Sequence, residues 1–86
     1  MVVVSRRDLL HVLTAVAALA GDAPGVPVAV AAIDERVGRG RGDMRTPLDL
    51  ANLAADGLVT DHGDGTWSLT EAGARRHRED EDYAGR

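Results

Sequence analysis

Residues 53–73, LAADGLVTDHGDGTWSLTEAG, constrain this chain most, because they specify a helix end, a strand, a reversal, a second strand and a new helix start in one uninterrupted run. Gly57 follows a series of helix formers and takes positive φ without a Cβ clash, so a helix carrying Leu50, Leu53 and Ala54 inward is expected to stop there. Residues 58–60 and 66–69 are strand-prone, and the Asp-Gly step in 61–65 turns one back on the other. Thr70 is placed to cap the following helix, and Glu71 sets a carboxylate near the positive end of its dipole.

The rest of the chain supplies helices to cover that hairpin. Ser5 and Asp8 have capping-box spacing, and the apolar positions after them predict a helix over 5–20. Leu9, Val12, Leu13, Val16, Ala17 and Ala20 share its inner face, with Val12 and Leu19 at the edge of an arc wide enough to suggest a homodimer. Residues 26–28 suit a short edge strand, limited by Pro27. A second helix is expected over 29–37, with Asp34, Glu35 and Arg36 facing water and Gly38 as its stop. A third is expected over 47–56, with Thr46 as cap, Pro47 in its first turn and Asp49 at box-like spacing. Its phase turns Leu48, Ala51, Asn52 and Ala55 outward.

The succession of helix, Gly-Leu-Val, hairpin and Leu-Thr-Glu-Ala-Gly resembles the winged helix-turn-helix domains of small prokaryotic regulators such as the MarR and PadR families. The resemblance implies an α+β, mostly helical fold with three helices, a two- to three-stranded wing hairpin and a C-terminal helix. It would occupy residues 1–78, leaving 79–86 as an acidic, frayed tail. It also implies that the helix ending before Gly57 is a recognition helix and that the chain regulates transcription. The Gly-punctuated stretch 38–45 is longer than the tight turn of that family.

Charge decides where a duplex would be held. The net charge is −4, and the ten basic residues are all Arg, a bias that suits either a GC-rich genome or an acidic surface adapted to high salt. The single basic block is 36–45, in which Arg39, Arg41 and Arg45 precede the third helix and are candidates for phosphate contacts. Thr46, Leu48 and Asn52 complete the candidate DNA-binding set, with the Asn52 amide able to pair with adenine. The alternative is that these arginines balance neighbouring acids in a solvated loop, and that the neutral outer face of the third helix or the acidic wing binds a protein instead. Asp61, His62 and Asp64 give the wing tip no cation, and Asp49 and Asp56 would repel phosphates.

Other chemistry is not suggested. His11, His62 and His77 fall on separate elements, and without Cys they form no ligand set, so surface histidines and no metal are expected. No nucleophile-base signature, paired-carboxylate pocket or Gly-rich phosphate loop is apparent, so neither catalytic residues nor a cofactor is expected. Trp67 is expected to cover the core edge. No membrane span or signal peptide is evident, and a cytoplasmic protein is expected.

Overall fold

The computed structural model describes residues 6–40 and 42–84. In chain order it contains α1 (Arg6–Leu19), β1 (Val28–Ala29), α2 (Val30–Val37), α3 (Arg45–Ala55), β2 (Val59–Asp61), β3 (Thr66–Leu69) and α4 (Glu71–Ala84). The three strands form one antiparallel sheet in the order β1-β3-β2. Val28 is opposite Trp67, and Val59 is opposite Leu69, so β3 is the central strand. The fold is therefore α+β, with four helices against a small sheet.

Helix α1 organises the interior because its apolar spacing presents an unbroken stripe. Val12, Leu13, Ala15, Val16 and Ala17 are buried, and Ile33, Leu50, Leu53 and Leu69 pack into the same core. Arg7, His11 and Thr14 lie on the exposed side. Val12 is fully buried instead of lying at the edge, whereas Leu19 is exposed. The Ser5 half of the expected capping box lies outside the described residues.

Among the element boundaries that differ from the sequence expectation, three have local reasons. The first strand is Val28–Ala29, since Pro27 has no N–H for the ladder, and α2 begins after Ala29. Helix α3 starts at Arg45, which puts Thr46 inside its first turn instead of at its cap. Helix α4 continues to Ala84, so residues 79–84 extend a helix where a frayed tail was expected. A fourth difference is one of burial: Asp34, expected to face water, is buried at 2% exposure and accepts the Gly42 N–H at 3.3 Å.

The hairpin frame is locked at one junction. Gly57 has φ 78° and releases the chain from α3 into β2. The Thr70 hydroxyl donates to the Gly57 carbonyl at 2.6 Å and accepts the Gly73 N–H at 3.0 Å, capping α4 while tying it to the end of α3. Gly73 lies so close to β2 that a β-carbon there would collide with the Leu58 carbonyl oxygen and stand 3.0 Å from Leu69 Cδ1. Trp67, 8% exposed, closes the core over the sheet.

Two substitutions test this junction. Trp67→Ala should cost about 3 kcal/mol or more as a large-to-small core change. Gly73→Ala should also destabilise by roughly 1–3 kcal/mol, because overpacking against backbone outweighs a helix-propensity gain of about 1 kcal/mol. Urea unfolding monitored by circular dichroism measures both, and a more stable Gly73→Ala protein would refute the close approach.

Candidate functional site

The loop after α2 is built around one buried guanidinium. The Arg39 N–H donates to the Asp34 carbonyl at 2.8 Å, which turns the side chain back beneath α3. There Nη1 donates to Thr46 Oγ1 at 3.0 Å and Nη2 donates to Asp49 Oδ2 at 3.0 Å. Asp8 of α1 stands 3.9 Å from the same Nη2. The Arg39 and Asp49 side chains are only 9% and 8% exposed, and Thr46 is fully buried.

These contacts correct three expectations. Arg39 is not displayed as a phosphate clamp, since its side chain is 9% exposed and both Nη atoms donate to partners inside the domain. Thr46 offers its hydroxyl to that arginine and nothing to a ligand. Asp49, expected to repel phosphates at the edge of the helix, is neutralised in the interior. Charges removed from water persist only when they are paired and hydrogen-bonded, which is the condition met here.

Arg45 stands outside this network, with a side chain 65% exposed. It grips Asp43, with Nη2 2.7 Å from Oδ2 and Nε 3.1 Å from Oδ1. The Arg45 side-chain hydrogen bonds, followed by its backbone N–H, hold the Asp43 carboxyl at a pKa of about 2. Asp43 therefore keeps its charge, and the pair persists, across the ordinary pH range. Arg41 lies outside the described residues.

Beyond Arg45, the outward face of α3 is uncharged. Met44 is 73% exposed and Leu48 45% exposed, with Pro47, Ala51, Asn52 and Ala55 open beside them. The Asn52 amide donates to the Leu48 carbonyl at 2.9 Å, so one of its hydrogens is turned back on its own helix. Leu48, Ala51, Asn52 and Ala55 have the outward placement expected of them. Met44 was not singled out because it precedes the expected helix start; extending the apolar spacing of Leu48 and Ala51 back one turn would have found it.

The turn between β2 and β3 continues the acidic character. Asp61 accepts the Gly63 N–H at 2.8 Å, and Asp64 accepts the Thr66 N–H at 3.0 Å and its hydroxyl at 2.6 Å. The Thr66 hydrogen bonds also lower the Asp64 pKa. Over residues 43–66 the chain holds five Asp and one Arg. His62 and His11 are exposed, whereas His77 is 6% exposed and lies 3.7 Å from Asp22, so it is not the surface histidine expected. Among the described residues no group of three or more His, Asp or Glu is placed to hold a metal ion.

The two arginines should respond differently to substitution. Arg39→Gln leaves Asp49 buried without its counter-ion and should cost about 3–5 kcal/mol. Arg45→Gln removes an exposed pair and should change stability by less than about 1 kcal/mol. Equal, small effects in urea unfolding would show that Arg39 is not a structural tie.

Comparison with known proteins gives no match to a protein-family model, to a curated protein or to a solved structure.

Proposed function

We propose that this chain is a winged helix-turn-helix module that docks a protein partner through the exposed face of α3. Support for the winged form comes from the element order α1-β1-α2-α3-β2-β3-α4 and from a hairpin, β2 and β3, joined to the end of α3. Fold alone does not fix what such a module binds. The single observation that carries the protein reading is the character of α3 and the residue preceding it, where Met44, Leu48 and Ala51 occupy positions at which a groove-reading helix needs cations and amides. A flexible thioether beside an aliphatic side chain is suited to packing on another protein.

Charge defines the partner. Asp43, Asp56, Asp61 and Asp64 flank this face in sequence, so a complementary surface is apolar at its centre and basic at its rim. The same aspartates oppose a phosphate backbone. On this reading the chain has no catalytic step and no cofactor, and it works in the cytoplasm.

DNA binding by a transcriptional regulator is the second reading, and Arg45 favours it. Its guanidinium is exposed at the start of α3, one helical turn from Leu48 and on the element that also carries Asn52, where a phosphate would compete with Asp43.

Incorporation of a photo-crosslinking residue at Leu48, in the cells that make this protein, separates the two. A protein adduct is expected at Leu48 and none with the crosslinker at Arg7 on the exposed side of α1. A DNA adduct at Leu48, with no protein adduct, would reverse the ranking.

A further inference from the structure

The Arg45 guanidinium is closed on a carboxylate of its own chain. Nε and Nη2 lie on one edge of the group, and both donate to Asp43, at 3.1 Å to Oδ1 and 2.7 Å to Oδ2. That edge is a fork that a guanidinium offers to a phosphate, and a carboxylate fills it with the same two-point geometry. Arg45 is also the only arginine between residues 43 and 66, the stretch that carries the α3 face and the hairpin. With Asp43 bound to it, that stretch has no arginine left to meet a phosphate.

Asp43 is set in place by the backbone on both sides. Its N–H donates to the Gly40 carbonyl at 3.1 Å, its carbonyl accepts the Thr46 N–H at 3.3 Å, and Oδ1 accepts the Arg45 N–H at 2.9 Å. The Gly42 N–H before it is held by Asp34 Oδ2. The Asp43 side chain is 19% exposed against 65% for Arg45, so the arginine lies over a carboxylate that is already positioned. A group tethered two residues away acts at an effective concentration in the millimolar range or above. A phosphate has to displace it and then stand beside its negative charge.

We infer that Asp43 is an intramolecular decoy, which occupies the Arg45 fork and so excludes nucleic acid from the α3 face. The inference rests on the reading of α3 as a protein-docking face and names the residue that makes the choice. The other aspartates of this stretch do not hold an arginine at the surface: Asp49 is taken by Arg39 in the interior, and Asp61 and Asp64 accept bonds within the turn between β2 and β3. A built-in element that penalises the wrong partner is a common source of specificity.

The test is a polarisation titration of the full chain against labelled random-sequence duplex DNA, between 50 and 200 mM salt. Asp43→Asn keeps an oxygen for the Arg45 N–H but gives up the charge, and Asp56→Asn makes the same change of charge at an exposed residue without releasing an arginine. Asp43→Asn should bind duplex about fivefold or more tightly than the parent at 50 mM salt and steepen the salt dependence by about one phosphate contact, whereas Asp56→Asn should change binding by less than about twofold. Adding Arg45→Gln to Asp43→Asn should abolish the gain, as a double-mutant cycle requires. Asp43→Ser, whose hydroxyl also accepts the N–H, repeats the measurement if circular dichroism shows that the Asn variant has lost its helices. The inference is overturned if the Asp43 variants bind no more tightly than Asp56→Asn, if the gain survives Arg45→Gln, or if the parent binds as tightly as Asp43→Asn. The crosslink at Leu48 judges the docking reading separately: a DNA adduct there removes that reading, whereas a protein adduct beside an unresponsive Asp43→Asn removes only this inference.

Discussion

The buried ion pair between Arg39 and Asp49 is the interaction on which the arrangement of the helices depends. It joins the loop after α2 to the first turns of α3, and Asp8 brings α1 within reach of the same guanidinium. A buried pair of this kind is weak evidence for net stability, since apolar residues of similar volume often serve as well. What it provides is position. The two hydrogen bonds from Arg39 fix α3 about its own axis, because Thr46 and Asp49 are three residues apart on one face. With that face held inward, Met44, Leu48 and Ala51 are turned out.

The second constraint is the size of the core. With no Phe and one Trp, the interior is filled mainly by Ala, Val and Leu, and the domain reaches close packing by letting backbone approach backbone. Gly73 against the Leu58 carbonyl is the clearest case, and Thr70 bonded to Gly57 secures the same corner. Where aliphatic side chains do not fill the space, between α1, α3 and α4, a leucine-lined cavity remains.

The parts of this structure that were legible in the sequence are those set by neighbours in the chain. Gly57 ends α3, Thr70 caps α4, and β2 and β3 pair across the Asp-Gly turn, all through contacts within a few residues. Helix phase was equally legible, since period alone puts Leu50 and Leu53 inward and Leu48 outward. The candidate site was less so, because the role of an arginine depends on what it meets. Arg39 and Asp49 are ten residues apart and separated by a glycine-rich loop, so no local spacing announces their pairing. Asp49 has the position of a first-turn acid and Thr46 that of a cap, and both signals were spent on the wrong partner. The burial of Asp34 and His77 likewise follows from elements that meet only in the folded domain.

The α3 face therefore inherits its meaning from the Arg39 bridge: with that guanidinium committed inward, the outer surface of residues 43–66 is acidic and apolar. The most direct measurement is fluorescence polarisation with pooled random-sequence duplex DNA, followed across a salt series from 50 to 200 mM. A dissociation constant no tighter than the roughly 10⁻⁴ M end of non-specific binding is expected, with a shallow salt dependence. Binding in the nanomolar range to a selected sequence, weakened by roughly 1–3 kcal/mol in Asn52→Ala, would contradict it and make α3 a helix that reads bases.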